Sequence, residues 1–242
     1  MPGSIRLFVE APLAEGAEVA ASAAQAHYLG HVMRRGVGAA VALFNGRDGE
    51  WQARIAGLRG DRAAFVVERL LRAQAPEADL WLAFAPLKRD ATDLVVQKAT
   101  ELGAAALLPV ATARTNAARI NAGRLAAIAT EAAEQCERLT VPDIRDLVDL
   151  PTLLRDWPAG RRLVAAIERA AAPRPAFSPG PTGLLVGPEG GFTERELDAL
   201  AAHPFVVPAS LGPLILRAET AVIAGLALLQ SPCPVAGDGQ TA

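Results

Sequence analysis

Lysine is almost missing from this chain: of its 24 basic residues only Lys88 and Lys98 are lysine, and the rest are arginine. Arginine offers a planar fork suited to phosphates and base edges. Set beside so much alanine, the bias reads first as the composition of a GC-rich genome. Cysteine is equally scarce. Neither Cys136 nor Cys233 sits in a CxxC, which argues against a structural disulfide or zinc site and points to a reducing cytoplasm. No apolar run approaches the ~20 residues of a membrane span. The start, Met1-Pro-Gly-Ser-Ile-Arg6, lacks the basic head and apolar stretch of a secretory signal, so we expect a cytoplasmic protein. A strongly basic field is absent too: the net charge is −2, which removes a global attraction for nucleic acid but leaves local patches available. The dinucleotide and Walker phosphate loops are also absent, and neither a nucleophile elbow nor a Ser/His/Asp arrangement can be read.

What is present divides near residue 75. Ile5–Val9, Ala39–Phe44, Trp51–Ile55 and Ala63–Glu68 alternate as short strands, separated by turn chemistry at Asn45–Gly49 and Gly57–Gly60. They predict a small β barrel or sandwich over residues 1–72, interrupted by a helix over Ser22–Arg35. His27 and His31 have the i,i+4 spacing of metal ligands, but no companion ligand set, so no metal is expected. Arg72–Ala78 reads as a linker.

From residue 78 to 231 the period changes. Strands are expected at Leu80–Ala85, Ala104–Val110, Leu163–Ile167, Leu184–Val186 and Phe205–Val207. Between them we expect a helix capped by Asp90 and stopped by Gly103, and another capped by Asn121 with Leu125, Ile128, Ala132 and Cys136 on its apolar face. Alternation of this kind predicts an α/β domain with a parallel sheet covered on both faces. A loop over Pro208–Pro213 leads to a last helix ending near Gln230, and residues 232–242 read as a flexible tail.

Two glycine-containing loops carry the chemistry. Gly187-Pro-Glu-Gly-Gly-Phe192 follows an apolar strand and runs into Thr193-Glu-Arg-Glu196, whose spacing is that of a capping box. Loops at the carboxyl ends of strands in open α/β sheets are where ligands bind, and glycine lets backbone come close to them. No lysine stands in this loop, which disfavours a triphosphate, and Glu189, expected to be buried, suits a neutral or cationic ligand. Ser210-Leu-Gly-Pro-Leu-Ile-Leu-Arg-Ala-Glu-Thr220 repeats the arrangement, so the two loops are expected to share one pocket. Arg217 and Glu219 open the last helix, and Leu214-Ile-Leu216 before them suggests a buried approach.

Together these strings resemble the ribosomal RNA small subunit methyltransferase E family of the SPOUT superfamily. The resemblance is carried by Arg6-Leu-Phe-Val9, His27-Tyr-Leu-Gly-His-Val-Met-Arg34, Lys88–Gly103, Glu131-Ala-Ala-Glu-Gln135, Gly187-Pro-Glu-Gly-Gly191 and Leu211–Ala221, in order along nearly the whole chain. It implies an N-terminal PUA-like β-barrel that helps hold RNA and a SPOUT domain with a C-terminal trefoil knot. It further implies a homodimer that binds S-adenosyl-L-methionine and methylates N3 of one uridine in the 16S ribosomal RNA of the small ribosomal subunit. The cofactor would be held by Leu185, Val186, Gly187, Glu189, Gly190, Gly191, Leu211, Gly212, Leu214, Leu216 and Arg217. The family often has arginine where this chain has Leu214, so the catalytic role is carried to Arg217, with Glu219 or Glu189 as the possible base. Arg6, Arg34, Arg35, Lys88 and Arg89 are expected to contact RNA phosphates; for Lys88 and Arg89 a solvated helix start is the even alternative. Two other readings stay open: a non-catalytic RNA-binding assembly factor, and a SPOUT methyltransferase acting on another nucleotide.

Overall fold

The computed structural model describes residues 5–115, 119–168 and 172–230; the expected tail and Cys233 lie outside them. The chain divides into two units, the first running to Pro76 and taking in Thr130–Val141, the second made of Glu77–Ala129 and the chain from Pro142 onward.

The first unit holds one five-stranded sheet. Its strands are β1 (Arg6–Phe8), β2 (Glu18–Ala20), β3 (Ala40–Phe44), β4 (Glu50–Arg59) and β5 (Arg62–Arg72), in the spatial order β1-β3-β4-β5-β2. Alternation along β5 buries Ala63, Phe65 and Val67, and the last two join Leu7, Val41, Leu43 and Ile55 in a single apolar cluster. Asn45 makes the expected turn, its side-chain oxygen accepting from the amides of Arg47 and Asp48 at 3.0 and 2.9 Å. The turn expected at Gly57–Gly60 is shorter. β4 continues past Gly57 through a bulge and reverses only at Gly60 and Asp61. The helix expected over Ser22–Arg35 also stops early. A Ser22/Gln25 capping box starts α1 (Ala23–His27), which loosens into a π-helical turn, Tyr28–Val32, and Arg34 ends the run at φ 49°.

Arg6 organises this unit from within. Its guanidinium donates to the Glu50 carboxylate at 2.5 Å and to the carbonyls of Ala133, Glu134 and Arg138 at 2.8, 2.9 and 2.8 Å. The first two carbonyls lie in the last turn of α3 (Ala122–Gln135), a helix end that needs donors and favours positive charge. Arg72 donates to the other Glu50 oxygen at 2.6 Å. Burial opposes the charge of Glu50, but the Arg72 and Arg6 hydrogen bonds outweigh it and hold its carboxyl below the usual range. The expectation that Arg6 contacts RNA phosphate is therefore corrected, because its side chain is only 8% exposed and already committed.

The second unit is built on a wholly parallel seven-stranded sheet. Its strands are β6 (Leu80–Phe84), β7 (Ala106–Ala111), β8 (Asp143–Ile144), β9 (Val148–Asp149), β10 (Arg162–Ala166), β11 (Thr182–Val186) and β12 (Val206–Ala209). The order is β12-β10-β11-β6-β7-β8, with β9 also on β7. Both faces are covered, as the unbroken apolar strands predict. Leu184 of β11 packs under Gly225 of α6 (Ala218–Leu229), which also lies against α2 (Arg89–Glu101). The next residue, Leu185, faces the other way, into a cluster with Leu153 and Leu154 of α4 (Leu150–Arg155) and Leu200 of α5 (Glu194–Ala201).

Four local expectations change. Lys88 is the residue before α2, and Asp90 lies inside its first turn rather than capping it. Cys136 falls just beyond α3 and is exposed, whereas Asn121 does cap that helix, accepting from the Arg124 amide at 3.0 Å. β12 absorbs Pro208, which an edge strand tolerates because its outer amides need no partner. The segment with β8, β9 and α4 was not anticipated. Its two-residue strands are too short to show a period, though Asp149 caps α4 in the usual way, accepting from the Thr152 amide at 2.8 Å.

Replacing Arg6 by alanine strips Glu50 of one partner and removes the guanidinium bonds to three carbonyls, at an expected cost of about 3–5 kcal/mol. Urea unfolding at neutral pH measures it. Because the Glu50 pKa is lowered on folding, its contribution is present above the ordinary carboxylate range and lost as pH falls through the folded value. The gap between wild type and Arg6→Ala therefore narrows in acid.

Candidate functional site

Three adjacent strands of the parallel sheet end at one level. The register pairs Ala166 of β10 with Val186 of β11 on one side and with Ala209 of β12 on the other. The segments that follow them, starting at Ile167, Gly187 and Ser210, leave the sheet side by side. Between them lies a cavity of about 260 Å³, lined by the ends of these strands, by the two glycine loops, and by Arg114. Its position outside the carboxyl ends of parallel strands is the usual ligand position of an open α/β sheet.

The first loop is a tight turn. The Gly191 amide donates to the Pro188 carbonyl at 2.8 Å, and Gly191 takes φ 68°, a left-handed conformation that a side chain resists. A Cβ on Gly187 would stand 3.1 Å from the ring of Phe192, so the packing here also requires its absence. In the second loop Gly212 has φ 127°. Behind the first loop, α5 starts with the expected capping box: Thr193 accepts from the Glu196 amide, and Glu196 accepts from the Thr193 amide at 2.8 Å. Glu196 does more, accepting from the Ala113 amide at 2.7 Å. Burial opposes its charge, but the amides of Thr193 and Ala113, the Thr193 hydroxyl and nearby Arg114 outweigh this and hold its carboxyl below the usual range.

Of the residues read from sequence, Val186, Gly187, Glu189, Gly190, Gly191, Leu211, Gly212, Leu214 and Leu216 line the cavity together. Leu185 lies beneath it in the core, and Arg217 and Glu219 stand at the start of α6 outside the lining. Two expectations are corrected. Glu189 is exposed although it lines the cavity, and Leu214 and Ile215 are 76% and 62% exposed rather than buried. Arg34, Arg35, Lys88 and Arg89 are all exposed. Sequence reasoning missed Arg114, Ile167 and Glu168, whose loops carry no glycine signature. His27 and His31 stack with ring centres 4.6 Å apart. Among the described residues no group of three or more His, Cys, Asp or Glu could hold a metal, and no helix is long and apolar enough to cross a membrane.

Comparison with known proteins agrees with this geometry. A family model described as an RNA methyltransferase domain matches residues 74–230, and one described as an RNA methyltransferase PUA domain matches residues 22–68. The ribosomal RNA small subunit methyltransferase E of Rickettsia conorii is 33% identical over 238 residues, spanning 94% of this chain and 97% of that protein. The chain belongs to the ribosomal RNA small subunit methyltransferase E family. Its counterpart in Bacillus subtilis is 30% identical over 222 residues, covering 85% of this chain and 86% of that one. Among solved structures, the family member from Neisseria gonorrhoeae, bound to S-adenosyl methionine, superposes with a TM-score of 0.84 at 28% identity, covering 93% of this chain and 96% of that one. A methyltransferase from Legionella pneumophila, also in complex with that cofactor, gives a TM-score of 0.82 at 28% identity over 94% and 97% of the two chains. The fold is accordingly of the SPOUT type, with a PUA-like sheet ahead of a parallel one.

Glu196→Ala removes the acceptor of the Thr193 and Ala113 amides beside the first loop. At this half-exposed site we expect a loss of about 1–2 kcal/mol near neutral pH, read by urea unfolding. The lowered pKa means that the wild-type advantage is lost as pH falls through the folded value.

Proposed function

We propose that this chain transfers a methyl group from S-adenosyl-L-methionine to N3 of a specific uridine in 16S ribosomal RNA. In this reading it works as a cytoplasmic homodimer on the small ribosomal subunit, with residues 1–72 as the PUA-like RNA-holding domain. Residues 78–231 form the methyltransferase domain, and its two loops belong to the implied trefoil knot. The observation that carries the proposal is the cavity where the two glycine loops meet at the ends of β10, β11 and β12. Its lining fits the cofactor: glycine lets backbone amides and carbonyls come close to an adenine and an amino-acid moiety, and the carboxylates of Glu168 and Glu189 complement a cationic ligand.

When bound, the cofactor supplies an already activated methyl group, so the task of the protein is positioning. Backbone groups of Val186–Gly191 and Leu211–Leu216 hold the ligand, over a floor that includes Leu185. N3 of uridine is a weakly acidic imide and must lose its proton to become nucleophilic. Arg217, exposed at the residue just before α6, holds its charge next to the second loop and stabilises the developing anion by Coulomb attraction. Glu219, half-buried two residues on, and Glu189 are the carboxylates in reach of this region to accept the proton. Exposed Arg34, Arg35, Lys88 and Arg89 contact phosphates. The exposed Leu214, Ile215, Val207 and Leu228 offer apolar surface to a second copy.

Incubation with labelled cofactor and unmodified small subunits, followed by mapping of the methylated nucleotide, tests the proposal; label at a different nucleotide, or none, refutes it. Gly190→Val forces a side chain against Arg114, whose Cδ stands 3.1 Å from the position of a Cβ, and is expected to weaken cofactor binding at least about tenfold in calorimetry. Arg217→Ala is expected to keep the cofactor and lose about 10²-fold in turnover.

A further inference from the structure

The glycine loop is held from outside by a segment with no glycine. Immediately after β7 the chain folds into a small turn, Thr112–Thr115. The Thr115 amide donates to the Thr112 carbonyl at 3.0 Å, the Thr112 amide donates to the Thr115 hydroxyl at 2.9 Å, and the two hydroxyls lie 2.9 Å apart. This cross-bracing aims the two central residues at the next element of the site. The Ala113 amide donates to Glu196, which also holds the start of α5. Arg114 donates from Nη1 to the Gly190 carbonyl at 2.5 Å. Its aliphatic stem lies over the face of Gly190 where a Cβ would be. Arg114 is also the cationic side chain in the lining of the cavity.

A glycine peptide has the widest choice of orientations, and Gly190 stands in a turn whose next residue is already left-handed. Rotation of the Gly190–Gly191 peptide would redirect both its carbonyl and its amide. The Gly191 amide is tied to the Pro188 carbonyl at one end of that peptide, and the guanidinium holds its carbonyl at the other; charge-assisted bonds of this kind are the stronger ones. We propose that Arg114 is a positioning residue for the methyl-donor site: it locks the Gly190–Gly191 peptide so that the backbone groups of the loop are arranged for the cofactor before it binds. The effect is preorganisation, which raises affinity by lowering the ordering cost. The inference rests on the reading of the cavity as the S-adenosylmethionine site.

The test uses the full chain and S-adenosylmethionine itself, with three variants: Arg114→Ala, Arg114→Lys and Thr115→Val, the last removing the hydroxyl that braces the turn. Arg114→Ala is expected to raise the calorimetric Kd roughly tenfold or more, with the kinetic loss in KM for the cofactor exceeding that in kcat. Arg114→Lys recovers part of the affinity, because an ammonium can donate to the same carbonyl without the planar fork. Thr115→Val shifts Kd in the same direction by a smaller factor. Wild-type affinity in Arg114→Ala overturns the inference and leaves the cavity reading standing. A collapse of kcat at saturating cofactor with Kd retained overturns it too, since Arg114 would then be touching the reacting groups. Failure of the wild-type protein to bind the cofactor overturns the cavity reading, and this inference with it.

Discussion

The site depends on one register. β10 is hydrogen-bonded between β11 and β12 so that Ala166, Val186 and Ala209 stand in a row at the carboxyl end of the sheet. In a parallel sheet every strand delivers its following loop to the same edge, and equal strand ends deliver them to the same depth. A shift of two residues in either pairing would move one loop by about 7 Å along the strand. The cavity would then open. The packing on both faces resists such a slip, since Leu184 and Leu185 of β11 are each fitted to a different layer of helices.

Several charged side chains act as fasteners within each unit. Arg6 ends a helix inside the first unit, and Glu196 ties a loop to a helix start inside the second. Arg114 holds a glycine carbonyl, and Arg161 is buried over the ring of Trp81 while donating to Asp79. A guanidinium can serve several carbonyls at once, which suits arginine to these places. Arg34, Arg35, Arg89 and Arg217 stand exposed at the surface, and the proposed function uses them there.

Much of this was legible in the residues. Alternation in Ala63–Val67, the unbroken apolar run of Leu184–Val186, the Asn121 cap and the Thr193/Glu196 box all depend on neighbours within a few positions, and each formed as read. The Gly187–Gly191 and Leu211–Leu216 loops were recognisable because glycine at a strand end has few other uses. Errors arose where a distant partner decides. Arg6 looks like any surface arginine until α3 brings its last carbonyls to it. Pro208 looks like a strand breaker until the strand turns out to be an edge. Glu189 beside three glycines looks buried, but at the rim of the cavity it stands exposed.

By itself, then, the sequence determined the two kinds of architecture, the positions of the two glycine loops, and the family to which they point. Period, capping and backbone permissiveness are local properties, and a linear chain displays them. That the loops share a pocket was expected from their repeated arrangement, but the tertiary structure alone decided that Thr130–Val141 joins the first unit. It also decided that Arg114, 76 residues before Gly190, is the side chain that holds the loop. Those outcomes come from strand order and from hydrogen bonds between residues far apart in the chain. A bond of that kind has no periodic trace in sequence, because either partner alone would be equally at home facing water.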